Sequence, residues 1–248
     1  MCIRKLLKEV RMKSLVVIMA ACTIATGVLA GEITVQKVQG DVSVRHGVGE
    51  VWTKVSAGDA LKPDDTMKTG KRGSAVLVAS SDASATKKIT LPGEVIVDMS
   101  DVRELSQEEL MLKLTMEKVR SSSYEWKNRE LNIPNAAVVH GDDHATTPPL
   151  GENDNGVGVL QLNGTRVLYD NGYYSTSALK AMDVLRRYPS LANEFEHRFM
   201  IAQALEKANL RGEALNEYVD LSSSENLKSG QRTLLQTKIS RLRKDLER

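Results

Sequence analysis

The chain has 248 residues, 41% of them hydrophobic and 27% charged, with a formal net charge of +2. Residues 1–30 hold five of the 34 Lys and Arg and one of the 32 Asp and Glu, so the rest carries 29 basic and 31 acidic residues, a net −2, and nucleic-acid binding is not expected of it. Both cysteines, Cys2 and Cys22, also fall within residues 1–30, which excludes disulfides, thiolate catalysis and cysteine-ligated metals from the remainder.

Residues 1–30 have the pattern of a secretory signal peptide. Basic residues precede an uncharged apolar run at 15–29, and Val28-Leu29-Ala30 places small residues where a signal peptidase reads them. The run is shorter than the roughly twenty residues that a membrane-spanning helix needs. We therefore expect cleavage after Ala30 and a mature protein in the periplasm or another extracytoplasmic compartment. Met12 is an alternative start that leaves a more ordinary basic region.

A second processing site is present inside the same run. Met19-Ala20-Ala21-Cys22 resembles a lipoprotein processing site, with Met where Leu is usual. Cleavage there would leave a lipidated Cys22 and a membrane anchor. The apolar run continues past Cys22 to Ala30, which favours the signal peptidase site, and the lipoprotein remains the alternative.

Residues 31–140 alternate apolar and polar side chains in short runs separated by turn residues. The runs lie near residues 33–44, interrupted by Gly40-Asp41, and near residues 51–55, 75–78 and 89–97, the last interrupted by Pro92-Gly93. Gly58-Asp59 and Pro63-Asp64-Asp65 are typical of turns. Short strands at this spacing predict a small all-β sandwich or barrel.

From Ser106 onward, the spacing of the apolar residues changes from the two-residue period of a strand toward that of a helix. This change predicts a helix over residues 107–120. Ser106 followed by Glu109 forms a capping box, and Ser121-Ser122-Ser123 is the expected end of the helix. The alternation of Leu110, Leu112, Leu114 and Met116 also suits a strand. Residues 121–140 give no clear pattern, apart from a run at 135–139 that fits a strand.

Residues 141–157 form a predicted linker, because they combine Gly, Pro, Asn and Asp with few apolar side chains. Residues 158–248 are predicted to be helical, with amphipathic segments at 175–187, 194–207, 211–221 and 231–246. The predicted fold class is therefore α+β and multidomain: a small β domain, a flexible linker and a helical hairpin-repeat domain. We expect the two domains to fold independently of each other.

The β-rich part resembles the FecR-like periplasmic domain. The matching segments are Gly40-Asp41-Val42-Ser43-Val44, Trp52, Gly58-Asp59-Ala60-Leu61, Asp65, Lys68-Thr69-Gly70, Ser74-Ala75-Val76-Leu77 and Leu91-Pro92. The resemblance implies an extracytoplasmic binding or signalling module. Such domains are best known beside a cytoplasmic part that controls a sigma factor; only fourteen residues precede the apolar run here, so we do not expect that mechanism.

The helical part resembles tetratricopeptide repeats. One unit reads Thr165, Leu168, Gly172, Tyr174, Ser177, Ala181, Val184 and Pro189, and the next reads Ala202, Leu205, Asn209, Ala214, Tyr218 and Leu221. Small residues at the paired positions Thr165/Ala202 and Ser177/Ala214 would let two helices approach closely. The resemblance implies a protein-binding module closed by a capping helix from Gln231. Gly164 falls inside the first helix, which glycine weakens.

No residue is predicted to be catalytic, cofactor-binding or metal-binding. His140 and His144 are four apart, but Gly141 and the linker composition argue against a shared helical face. The loop after Gly151 lacks the final carboxylate of a calcium site, because Leu162 stands there. His46, His197 and the Tyr173-Tyr174 pair fit structural roles better than catalytic or ligand-binding ones.

The sequence therefore predicts an exported, non-enzymatic binding or scaffold protein of the cell envelope, whose partner is another envelope protein or peptide. The alternative is glycan or peptidoglycan binding through the β domain, for which Trp52 is the available ring. A hydrolase is a third and weaker alternative, because catalytic motifs are missing from the sequence.

The proposed processing has a direct test. N-terminal sequencing of the protein purified from its envelope should begin at Gly31, because residues 28–30 satisfy the peptidase. A lipid-modified start at Cys22 would contradict this prediction and establish the anchored alternative.

Overall fold

A computed structural model describes residues 33–81, 85–128 and 155–247 of the chain. The described residues from Ile33 onward belong to one compact unit, in which β-strands come first and α-helices follow. The α+β class is confirmed. The predicted signal peptide and residues 141–154 of the predicted linker lie outside the described residues, as do the run at 135–139 and the His140/His144 pair.

Among the described residues, eight antiparallel strands form two four-stranded sheets. The strands are β1 (Ile33–Gln39), β2 (Val42–Arg45), β3 (Thr53–Lys54), β4 (Ala60–Leu61), β5 (Thr66–Thr69), β6 (Ser74–Ser81), β7 (Ala85–Leu91) and β8 (Val95–Asp98). One sheet has the order β4-β1-β6-β7 and the other β3-β2-β5-β8. The alternating apolar residues point between the sheets, where Val35, Met67, Leu77 and Ile89 are almost fully buried. This is the small sandwich that the alternation predicted.

The turn at Gly40-Asp41 sends the chain from one sheet to the other. Gly40 has φ of +68°, and a Cβ there would lie 2.3 Å from the Arg72 carbonyl oxygen. Only glycine fits this left-handed and crowded position. The Gly70 amide then donates to the Asp41 carbonyl oxygen at 2.8 Å, which ties two corners of the sandwich together.

Six α-helices follow the strands in the part of the chain that the structure describes. They are α1 (Gln107–Asn128), α2 (Asn155–Asp170), α3 (Tyr174–Arg187), α4 (Phe195–Lys207), α5 (Arg211–Ser222) and α6 (Ser229–Leu246), with short 3₁₀ turns at Met99–Asp101 and Pro189–Asn193. Ser106 Oγ accepts a hydrogen bond from the Glu109 backbone N–H at 3.2 Å, so the predicted serine cap is present at the start of α1. None of the described helices is long and apolar enough to cross a membrane.

Two predicted boundaries differ from the structure. Helix α1 continues through Ser121-Ser122-Ser123 to Asn128 instead of ending at 120, and α2 begins at Asn155, within the predicted linker. Serine lowers helix stability only modestly, so three serines in the middle of a long helix do not stop it. On α6, which covers the predicted helical segment 231–246, Leu235 and Leu242 are buried, whereas Leu234 and Leu246 are exposed.

The predicted small residues of the helical part lie at helix contacts. Thr165, Ser177, Ala202 and Ala214 are all 0–1% exposed. The Ser177 hydroxyl donates to the Thr165 carbonyl oxygen at 2.8 Å, which joins α2 to α3. Successive helices from α2 to α6 pack on their neighbours around one apolar core.

The strands and helices do not form the two separate bodies that the sequence suggested. Val167, Leu168 and Tyr173, from α2 and the turn after it, complete the core of the β-sandwich. Leu110 and Leu114 of α1, which the sequence assigned to the β domain, lie in the core of the helices. Some apolar side chains of the strand-rich part are therefore buried by the helices, and some of the helical part by the strands, so the two parts share their cores.

Gly164 sets the distance between α2 and β8. A Cβ on Gly164 would lie 2.0 Å from the Ile96 carbonyl oxygen and 3.1 Å from Val97 Cγ2. Next to it, the Asn163 side-chain amide donates to the Glu94 carbonyl oxygen at 2.8 Å. The glycine that weakens the helix in isolation therefore allows the helix backbone to contact the strand backbone.

Substituting this glycine tests the contact. Gly164→Ala should destabilise the protein by about 1–3 kcal/mol, because the added methyl would overlap a backbone oxygen and force α2 away from β8. Chemical unfolding at equilibrium measures the change.

Gly212→Ala on α5 is the matched control, since its Cβ would meet nothing within 4 Å. It should leave stability unchanged or raise it by up to about 1 kcal/mol through helix propensity. Equal stabilities for the two variants would mean that α2 does not approach β8 this closely.

Candidate functional site

A row of polar side chains crosses the outer face of the β3-β2-β5-β8 sheet and ends between the helices. Arg45 Nη2 lies 3.4 Å from Thr66 Oγ1, and Thr66 donates to Asp98 Oδ1 at 2.7 Å. Asp98 in turn accepts a hydrogen bond from the Lys180 ammonium of α3. The row thus links the sandwich to the helices through residues that are 82 positions apart in the chain.

Asp101 completes the inner end of this row. Its Oδ2 is buried and has no hydrogen bond, while Lys180 Nζ lies 3.6 Å away, within ion-pair distance. Burial raises the pKa of Asp101 to about 6, although Lys180 opposes this effect. Burial also raises the pKa of Asp98, but Lys180 and the hydrogen bonds from Lys180 and Thr66 outweigh it, so the net pKa is lowered.

Lys180 is held in its charged form. Burial lowers the pKa of its ammonium, but Asp101 and Asp98 raise it more, and the net shift is upward. One cation between two carboxylates in a largely desolvated junction favours a fixed relative position of α3 and β8. A polar cleft of about 350 Å³ opens beside it, lined by Asp101, Arg103, Lys113, Thr176 and Lys180 among others.

The exposed end of the row carries an aromatic ring. Trp52, which directly precedes β3, is 37% exposed, and the guanidinium carbon of Arg45 lies 5.4 Å from its ring centroid. Lys68 Nζ lies 5.7 Å from the same centroid. In the strand register, Lys54 and Lys68 both pair with Ser43 and so share one face of the sheet. This Trp52 face therefore combines one ring with three cations.

A larger groove lies between the helices, and we call it the helical groove. It has a volume of about 580 Å³ and is lined by residues of α1, α3, α4 and α5 and of the turn after α3. Leu114, Met182, Leu185 and Ile201 supply its apolar surface.

The rim of the helical groove carries ionic groups of both signs. Arg186 Nε donates to Glu117 Oε1 at 2.6 Å, and Arg198 Nη2 lies 3.9 Å from Glu217 Oε2. Burial raises the pKa of Glu217, and Arg198 opposes this effect only in part. An apolar floor with charged edges of both signs can bind an extended peptide that carries apolar and charged side chains.

The remaining residues that the sequence singled out have structural contacts. His46 Nδ1 lies 2.8 Å from the buried Asp65, and His197 Nδ1 lies 3.1 Å from the Leu191 carbonyl oxygen. Asp65 Oδ2 also accepts a hydrogen bond from the Lys62 backbone N–H, as expected of a turn carboxylate. Tyr173 is buried beneath Lys87, whose ammonium lies 3.8 Å from the ring centroid.

The sequence did not reveal the cluster of Asp98, Asp101 and Lys180, which we call the ionic junction, or the helical groove. Of the Trp52 face it identified Trp52 alone. Lys180 stands between Leu179 and Ala181 in an amphipathic segment and Asp101 follows a strand, and a single charge is ordinary at either place, so the local pattern does not show that the two meet. Within residues 33–81, 85–128 and 155–247, no group of three or more His, Cys, Asp or Glu side chains is arranged to hold a metal ion.

Comparisons with known proteins give no match. No family model, no curated protein and no solved structure matches this chain. The resemblances to FecR-like domains and tetratricopeptide repeats therefore rest on the residues quoted above.

The charge state of Asp101 makes stability depend on pH. Its pKa is 3.8 when unperturbed and about 6 in the folded protein, so the folded state binds the proton more tightly. The contribution of Asp101 to stability is therefore lost as the pH rises from about 4 to about 6, by up to about 3 kcal/mol. Asp101→Asn should remove this loss, which urea unfolding at several pH values between 4 and 7 measures.

Asp64→Asn is the control, because Asp64 is an exposed turn carboxylate. It should keep the pH profile of the parent. If the Asp101→Asn protein keeps that profile too, then Asp101 is not desolvated at the junction.

Proposed function

We propose that this protein is an exported, non-enzymatic scaffold of the cell envelope, which binds a peptide segment of another envelope protein in its helical groove. The observation that carries the proposal is the groove itself, which lies between four helices in the described part of the chain and has Leu114, Met182, Leu185 and Ile201 in its apolar lining. The signal peptide and the resemblance to tetratricopeptide repeats support the same conclusion.

The chemistry of the groove defines the class of ligand. Its apolar surface can accept two or three aliphatic or aromatic side chains of an extended segment. Arg198 and Lys118 on the rim can pair with acidic side chains, and the half-buried Glu217 with a basic one. We therefore expect a mixed apolar and charged peptide, with affinity dominated by the apolar positions.

A displayed peptide library can test this binding. Peptides selected on the chain from Gly31 to Arg248 should lose at least about tenfold in affinity on Met182→Lys, because the new ammonium would be desolvated in the groove. Met182 is only partly buried and packs at the edge of the helical core, so the thermal melt of the variant is measured beside its affinity to show that the fold is kept.

Leu234→Lys is the matched control, because Leu234 is a half-exposed apolar residue on α6, outside the groove. It should leave the affinity unchanged. Selected peptides that bind the Met182→Lys and Leu234→Lys proteins equally would contradict a site in the helical groove, and so would a library from which no peptide is enriched.

Glycan binding at the Trp52 face is the second candidate, and the position of Trp52 between Arg45 and Lys68 favours it. A half-exposed ring can stack on a sugar, and the neighbouring cations suit an acidic glycan. On this alternative, Trp52→Ala abolishes cosedimentation with peptidoglycan sacculi, whereas Met182→Lys preserves it. If the protein instead binds a peptide in the helical groove, Met182→Lys should weaken peptide binding and Trp52→Ala should leave it unchanged.

A further inference from the structure

The two carboxylates that line the helical groove differ in how fully the chain pairs them. Glu117 is 8% exposed, accepts a hydrogen bond from Arg186 Nε at 2.6 Å and lies 3.7 Å from Arg120 Nη1. Glu217 is 28% exposed, and its Oε2 lies 3.9 Å from Arg198 Nη2. Among the described residues, no group donates a hydrogen bond to the Glu217 carboxylate. Glu217 is therefore the carboxylate of the groove that the chain itself compensates least.

The electrostatics of Glu217 lead to the same conclusion. Burial raises the pKa of its carboxyl, Arg198 opposes this effect, Asp220 reinforces it and Lys118 opposes it, and the net shift is upward. The cations of the chain thus do not offset the cost of removing water from this carboxylate. A cation of a ligand would supply the missing attraction, which is little screened where water is largely excluded. An ionisable group with such a shift in a cleft is a typical mark of a binding site.

The basic groups of the groove offer a weaker site for an acidic ligand group. Arg186 already pairs with Glu117 and Asp183. Lys118 is exposed, so its ammonium stays hydrated and gains little from pairing. Arg198 lies beside Glu217, which would repel an acidic group that approached it. The groove therefore favours a basic group at this position over an acidic one.

Apolar surface adjoins the Glu217 carboxylate. Arg198 and Ile201 are three residues apart on α4, so they share one face of that helix, and both line the groove. Since Arg198 faces Glu217, Ile201 places an aliphatic side chain next to this ion pair. A Lys or Arg side chain suits this combination, because its aliphatic stem packs on apolar surface while its charged end reaches a carboxylate.

We propose that Glu217 recognises a basic group of the peptide bound in the helical groove, and so selects segments in which a Lys or Arg side chain, or a free amino terminus, stands next to apolar residues. The proposal rests on the peptide binding proposed above and adds the charge that the peptide carries. Glu217 then determines specificity, whereas the apolar lining supplies most of the affinity.

Isothermal titration calorimetry with synthetic copies of the selected peptides tests this role on the chain from Gly31 to Arg248. Glu217→Gln should lower their affinity at least about tenfold, because a poorly hydrated ion pair is lost. Glu213→Gln is the matched control, the same substitution one turn earlier on α5 and outside the lining of the groove, and it should leave the affinity unchanged. Thermal melts of both variants show that the fold is kept.

Changing the peptide identifies the source of the cation without any protein variant. Replacing its Lys or Arg by Met should weaken binding to the parent as much as Glu217→Gln does, and should make binding insensitive to that variant. If the amino terminus supplies the cation, acetylation has this effect instead.

The outcomes separate this proposal from the one on which it rests. If Met182→Lys weakens binding but neither Glu217→Gln nor removal of the peptide's positive charge does, the role of Glu217 is overturned and peptide binding in the groove stands. A library from which no peptide is enriched overturns both.

Discussion

The contact between α2 and β8 is the constraint on which the rest of the described structure depends. At Gly164 the helix backbone comes so close to Ile96 that no side chain fits between them. This contact seats Val167 and Leu168 in the sandwich core and thereby fixes the first helix of the helical part. Because each later helix packs on the one before it, the position of α2 determines where the other helices lie.

The ionic junction reinforces this arrangement from a second direction. Lys180 of α3 joins Asp98 at the end of β8 and Asp101 in the following 3₁₀ turn, so α3 and the strand cannot shift independently. A buried ion pair is weak evidence for stability, because desolvation offsets much of its Coulomb attraction. Its effect here is geometric, since only one arrangement places both carboxylates beside the ammonium.

The two surfaces that follow from this arrangement have different chemistry. The Trp52 face is part of a sheet surface and has one ring and three cations, whereas the helical groove is apolar and bordered by charges of both signs. Helix α1 makes the groove possible, because it leaves the sandwich and packs beside α3. In the described part of the chain, the core of the sandwich contains no residue of α1. The groove that α1 forms with the other helices is therefore the basis of the proposed function.

How much the sequence could predict follows from the range of each signal. Alternating apolar residues with Gly-Asp and Pro-Gly turns predicted most strands, and the Ser106 cap predicted the start of α1, because these patterns act over a few residues. The strands β4 and β5 were missed, since a two-residue or four-residue strand beside a turn hardly alternates. Residues with a local role, such as Asp65 in its turn, were also interpreted correctly.

The sequence by itself determined most of the elements: the order of the strands and helices, the Ser106 cap, the Gly-Asp and Pro-Gly turns, and the period of most segments. Only the tertiary structure decided which apolar sides meet. Local periodicity shows that Leu110 and Leu114 need burial but not that helices supply it, and it shows the weakness of Gly164 in a helix but not the strand that requires glycine there. Lys180, Asp98 and Asp101 become one cluster only when distant segments pack, because a charge shows no preference among partners until burial removes its water.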